Sequence, residues 1–143
     1  MENCIFCKII SRNEGAFIIY ENDYVCCFLD KYPISKGHIL VVPKKHYREF
    51  KEVDQETLSE IILTAQQIAI AVEKLLKTDG ITIMQENGAF KDVEHYHMHI
   101  VPRFINDGFT WVEPKTKIPK EAFKSLSDNL EKTLAETFKY LGS

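Results

Sequence analysis

The segment His95-Tyr96-His97-Met98-His99-Ile100-Val101-Pro102-Arg103 puts three of the chain's five histidines at every second position. In an extended strand, alternate side chains point to the same face, so His95, His97 and His99 share one face and Tyr96, Met98 and Ile100 the other. Neighbouring histidines on that face have Cα atoms about 6.5 to 7 Å apart, close enough to act on one phosphate or one metal ion. A helix would fan the same side chains around its axis, so the spacing predicts a strand with a chemical face and a core face. Pro102 marks its expected end. A lone histidine is most simply a satisfied core or surface residue, but three in strict alternation against apolar neighbours point to chemistry. The run is internal, which excludes an appended tag. Two kinds of site fit: a three-histidine metal site, and a nucleophilic imidazole with histidine helpers.

Upstream, Phe17 to Tyr20 and Tyr24 to Leu29 read as strands joined by a hairpin turn at Asn22-Asp23. Asp30 to Gly37, with Pro33, reads as a loop, followed by a third strand from His38 to Val42 that ends at Pro43. Asp54 can cap a long helix whose apolar positions Leu58, Ile61, Ile62, Ala65, Ile68, Ala69, Val72, Leu75 and Leu76 recur at helical spacing, with Asp79-Gly80 as its stop. Ile81 to Gln85 reads as a strand, and Asn87-Gly88 as the loop into the histidine strand. The run after Arg103, with Asp107-Gly108 and Trp111, reads as irregular. Pro119 opens a last helix with Phe123, Leu126, Leu130, Leu134, Phe138 and Leu141 on one stripe, a core or partner surface. Strands gathered around one long helix, without regular βαβ alternation, predict an α+β fold on an antiparallel sheet. A chain of 143 residues fits one domain, 1–143.

A net charge of −3 with dispersed basic residues argues against a nucleic-acid polymer as partner, while leaving a small anion possible. Neither GxGxxG nor a Gly-Lys-Ser/Thr loop is present, so any bound phosphate is held mainly by side chains. Met1 to Ile10 lacks a signal-peptide core and no stretch approaches a membrane span, which predicts a cytoplasmic protein. In a reducing compartment disulfides are rare. Adjacent Cys26 and Cys27 then read as small buried hydrophobes on opposite strand faces. Cys4-x-x-Cys7 has the spacing of metal ligands; a redox pair is the competing reading, although no strand precedes it.

The histidine segment fits His-φ-His-φ-His-φ-φ, where φ is apolar, and so resembles the histidine triad (HIT) superfamily; the following Pro102-Arg103 is similar to many bacterial members. Cys4-Ile5-Phe6-Cys7-Lys8-Ile9-Ile10, Phe28-Leu29-Asp30 with Pro33, and Gly37-His38 through Pro43-Lys44-Lys45-His46 resemble further family segments, in the right order. The likeness covers about residues 4–103, leaving 104–143 as loop and C-terminal helix. It implies a HIT-like fold, a homodimer, and a nucleotide hydrolase or nucleotidyl transferase acting at the α-phosphate of phosphoramidates or (di)nucleoside polyphosphates. By the same likeness His97 is the nucleophile that forms a covalent nucleotidyl-imidazole, and His99 assists at the phosphate. Asp30 accepts from ribose hydroxyls, and Phe6, Ile9 and Phe28 enclose the base, although core packing uses the same apolar residues. In the zinc-bearing branch, Cys4, Cys7, His46 and His95 form a closed tetrahedral set suited to structural zinc. His38 lies outside both clusters and reads as structural.

Departures cluster before the triad. Phe90 and Lys91 stand where many members have Gly-Gln, Asp92 stands where serine is common, and Asn87 is nearer the triad than the family's phosphate-loop asparagine. Adjacent side chains on an extended segment point in opposite directions, so one of Lys91 and Asp92 faces the phosphate; the expectation is Lys91, and solvated loop charges are the alternative. Two other function classes stay open: a metallohydrolase using His95, His97 and His99, and a nucleotide-binding regulator with little turnover.

Overall fold

Residues 3–139 are described by the computed structural model, in which an antiparallel sheet carries a long helix on one face and the histidines on the other. The elements run α1 Ile5–Ile10, β1 Ile18–Glu21, β2 Val25–Leu29, β3 Ile39–Pro43, α2 Gln55–Leu76, β4 Gly80–Met84, β5 Met98–Arg103 and α3 Lys120–Lys139. Strand order is β1-β2-β3-β5-β4, and every neighbouring pair is antiparallel. The expected α+β architecture is the observed one. The chain divides into two compact units, Met1–Phe109 and Thr110–Ser143. In the second, α3 leaves Phe123, Leu126, Leu130, Leu134 and Phe138 exposed, and Leu141 of the expected stripe lies outside the described residues.

Strand alternation sorts the sheet's side chains into two layers. Val25, Cys27, Ile39, Val41, Tyr96, Met98 and Ile100 pack with Ile61, Ala65, Ile68 and Val72 of α2. Cys26, Phe28, Leu40 and Val42 face the opposite way, onto Phe6 and Ile9 of α1. Cys26 and Cys27 are buried on opposite faces as expected, and burial pushes the Cys27 thiol to about 12, which suits an inert core thiol. The hairpin forms because Asn22 Oδ1 accepts from the N–H groups of Tyr24 and Val25 at 2.8 and 2.9 Å, an Asx turn.

Helix α2 is capped as anticipated: Asp54 Oδ1 accepts from the Thr57 N–H at 2.7 Å, and its other oxygen accepts from Tyr47 Oη at 3.0 Å. Its end differs from expectation. The stop is Lys77, in the left-handed region at φ 55. Gly80 instead opens β4, after the Asp79 N–H has bonded to the Arg103 carbonyl at 2.9 Å. Pro102 likewise does not end β5 but pairs with Ile81 inside it. Its carbonyl accepts from Ser35 Oγ at 2.6 Å and so points away from β4. The residue's nitrogen points to that same side, beyond the last β3 partner at Ile100, where no ladder bond needs an N–H.

Candidate active site

Cys4, Cys7, His46 and His95 converge although 91 residues of sequence separate the outermost pair. The local cause is α1, a single short helix that no periodicity in the sequence marks. Cys4 is its N-cap, with Sγ accepting from the Cys7 N–H at 3.4 Å, so one helical turn brings the two sulfurs together. Cys4 Sγ and Cys7 Sγ lie 3.3 and 3.6 Å from His95 Nδ1, and Cys7 Sγ lies 3.3 Å from His46 Nδ1. A tetrahedral ion with zinc-like bond lengths has N···S edges of about 3.5 Å, so the donor spacing fits such an ion. His95 Nε2 donates to the Pro43 carbonyl at 2.8 Å, which leaves Nδ1 as the lone-pair nitrogen facing the sulfurs. Burial holds His95 near a pKa of about 4, keeping it neutral as a ligand must be. Burial, then the neighbouring Cys4, pushes the Cys7 thiol to about 11, a penalty on the thiolate that a bound cation would reverse.

Two residues along, His97 is buried with its ring 5.1 Å from Phe6 and 5.0 Å from His99. Its Nδ1 donates to the His95 carbonyl at 2.7 Å, so Nε2 is the nitrogen available to meet an electrophile. His99 has the opposite arrangement. The Ile34 N–H donates to His38 Nδ1 at 3.0 Å, so His38 Nε2 carries the proton and donates to His99 Nδ1 at 2.9 Å. His99 is thereby an acceptor at Nδ1 and an N–H donor at Nε2. Burial, then the neighbouring His97 and His38 imidazoles, lowers its pKa to about 4 and keeps it a neutral donor. Asp30 Oδ2 sits 3.4 Å from His38 Nε2 and Oδ1 accepts from the Tyr32 N–H at 2.8 Å, which fixes that carboxylate beside the pair.

His38, read from sequence as structural and outside both clusters, lies with its Nε2 2.9 Å from His99 Nδ1. The signal was present: His38 precedes Leu40 by two positions, and Leu40 pairs with His99 in the β3–β5 register, so both histidines belong to one sheet face. The alternation expected of the triad also holds, since Tyr96, Met98 and Ile100 enter the α2 core, whereas His95 and His97 contact Phe6. The ladder itself begins only at Met98, because the Tyr96 N–H is taken by the Tyr47 carbonyl at 2.7 Å.

Phe6, Ile9 and Phe28 are buried in one cluster, with Phe6 5.5 Å from Phe28 and, of the three, in ring contact with His97. Asn87 and Lys91 go elsewhere. Asn87 Oδ1 accepts from the Phe50 N–H at 2.9 Å. Lys91 Nζ lies 3.4 Å from Glu49, 3.2 Å from Glu94 and 3.0 Å from the Gly88 carbonyl. The expectation that Lys91 faces the nucleophile is therefore corrected. Its neighbour does so: Asp92 Oδ1 lies 3.1 Å from His97 Nε2. Three carbonyl or carboxylate oxygens hold the ammonium on the loop, while the exposed Asp92 side chain lies on the bend beside the His97 ring.

A family model described as the HIT domain matches residues 11–106. An uncharacterised HIT-like protein of Saccharolobus solfataricus is 40% identical over 139 residues, 95% of this chain and 98% of its own length. The adenosine 5′-monophosphoramidase of Saccharomyces cerevisiae is 35% identical over 102 residues, 70% of this chain and 62% of its own. Among solved structures, a zinc-bound histidine triad family protein from Mycobacterium smegmatis superposes with a TM-score of 0.72 at 31% identity, covering 94% of this chain and 98% of that one. Together with a triad whose three imidazoles stand on one sheet face, the extent of these matches makes this chain a member of the HIT family.

Proposed function

We propose that the protein hydrolyses or transfers nucleotides at the α-phosphate through a covalent nucleotidyl-His97 intermediate. One observation carries the reading: His97 and His99, with rings 5.0 Å apart, are held in complementary arrangements, His97 with Nδ1 committed to a backbone carbonyl so that Nε2 is left for attack once Asp92 withdraws, and His99 with an Nε2–H for donation. The first forms the bond to phosphorus, and the second donates to a nonbridging oxygen as negative charge develops there. Phe6, Ile9 and Phe28 supply an apolar wall for a base, and Asp30, at the mouth of the His38–His99 pair, supplies an acceptor for ribose hydroxyls. The relative named as an adenosine 5′-monophosphoramidase supports a phosphoramidate as substrate.

Zinc is the ion we assign to Cys4, Cys7, His46 and His95. Four protein ligands leave no position for a metal-bound water, so its role is to tie α1 to the triad segment. The three-histidine metal site has no support, because His95 Nδ1 faces the sulfurs and His97 Nδ1 faces a backbone carbonyl. Family resemblance also leads us to propose a homodimer, which sedimentation of the purified chain tests. The deciding experiment incubates the protein with α-labelled nucleoside phosphoramidate, quenches it, and locates the label. Label on His97, and loss of turnover in His97→Ala with nucleotide binding retained, is the expected result; full turnover by His97→Ala overturns it.

A further inference from the structure

We propose that Asp92 is the general acid–base of this site and that it selects substrates with a basic leaving group, an amine rather than a polyphosphate. The inference rests on the nucleotidyl-His97 reading and deepens it. Asp92 Oδ1 faces His97 Nε2 at 3.1 Å. His97 Nδ1 is committed to the His95 carbonyl, so Nε2 is the only ring nitrogen left to meet phosphorus. A hydrogen bond at Nε2 runs roughly along that nitrogen's lone-pair direction, which is also the axis of in-line attack. A phosphorus atom entering on this axis presents its leaving atom on the far side from Nε2, toward Asp92. The carboxylate has room to withdraw: its side chain is 80% exposed and sits on the bend before β5.

The charges nearby set the preference. Lys91 would be the natural cation to offset a polyphosphate, but its ammonium is taken by Glu49, Glu94 and the Gly88 carbonyl. The group that meets the leaving atom is thus a carboxyl. As a carboxylate it repels a multiply charged leaving group; as a carboxylic acid it has a proton to give, which an amine needs and a polyphosphate does not.

The steps balance as follows. The proton between Nε2 and Asp92 withdraws with the carboxyl as substrate enters, leaving the lone pair on Nε2 and a neutral acid facing the leaving nitrogen. The Nε2–P bond forms as the P–N bond breaks. The electron pair of that bond goes to nitrogen, which takes the proton from Asp92 and leaves as neutral amine. Water then enters from the vacated side and gives its proton to the Asp92 carboxylate as its oxygen bonds to phosphorus. The Nε2–P bond breaks with its electron pair returning to Nε2, and the nucleoside monophosphate leaves.

The test compares the zinc-loaded full chain with Asp92→Asn and Asp92→Ser on two substrates sharing one nucleoside monophosphate, an alkylamine phosphoramidate and a p-nitrophenyl ester whose leaving group needs no proton. Loss of a general acid lowers kcat/KM for the amine about 10²-fold more than for the nitrophenyl ester. Unchanged zinc content and melting temperature show that the variants are folded. Equal losses on the two substrates, or no loss on either, overturn the role of Asp92. His97→Ala is run beside them. If it is inactive while the Asp92 variants fail to discriminate, only this inference falls; if it turns over either substrate, the nucleotidyl-His97 reading falls with it.

Discussion

His38 Nε2 and His99 Nδ1 lie 2.9 Å apart across 61 residues of sequence, and this contact decides which nitrogen of His99 carries its proton. A histidine outside the triad therefore sets which nitrogen of His99 carries the triad's N–H donor.

Replacing His38 with Ala should free His99 to adopt either tautomer. We expect kcat to fall by up to about 10²-fold, the scale of losing one preorganised donor at the site of developing charge. KM should change little, because the Phe6, Ile9 and Phe28 wall remains. Nitrogen-15 NMR of His99 should show loss of the single tautomer, a readout that a merely packing role for His38 would leave unmoved.

Removing the metal should act on stability before chemistry. Chelation, or Cys4→Ser with Cys7→Ser, should lower the melting temperature by on the order of 10 °C, as expected for a loss of several kcal/mol in a chain of this size. Metal analysis of the native protein should find about one zinc per chain. An unchanged melting curve after complete metal loss would refute the structural role.

Gly37→Ala tests the turn that delivers His38. Gly37 has φ +91, and an added Cβ would lie 2.6 Å from Leu76 Cδ1. Backbone strain at such a position amounts to about 1–3 kcal/mol. Chemical denaturation should report a loss of that size, with turnover reduced because His38 moves with the turn.

Stability on the acid side should carry the mark of His99. Burial depresses its pKa from 6.5 to about 4. The unfolded chain takes up the proton first, so the contribution of neutral His99 is present above about pH 6.5 and is lost as pH falls through its folded value. In His99→Gln, urea melts near pH 5 should show about one fewer proton taken up on unfolding.

Lys91→Gln should affect both leaving-group classes alike. Its ammonium serves Glu49, Glu94 and Gly88, so the variant loosens the loop without removing a cation from the phosphate. A selective loss on polyphosphates, measured as the kcat/KM ratio, would show that Lys91 reaches the substrate after all.

Much of the architecture could be read locally. Alternation assigned Tyr96, Met98 and Ile100 to the core and the histidines to the opposite face, because side-chain direction in an extended chain depends only on position. The Asp54 cap and the Asn22 turn were equally legible, since each side chain bonds to backbone within three residues. Cys4-x-x-Cys7 was legible as a pair for the same reason, and the structure places both thiols in one group with His46 and His95, although the helix that pairs them has no signature in the spacing. Contacts between distant segments were not legible in this way. The partner of His38 depends on the β3–β5 register, where Leu40 stands opposite His99. The place of Pro102 depends on which side of β5 is left without a neighbour. The choice between Lys91 and Asp92 depends on Glu49, 42 residues upstream, whose carboxylate draws the ammonium away and leaves Asp92 to face His97. Side-chain periodicity is a property of the local chain, whereas a charge settles on whichever partner the folded chain brings within reach.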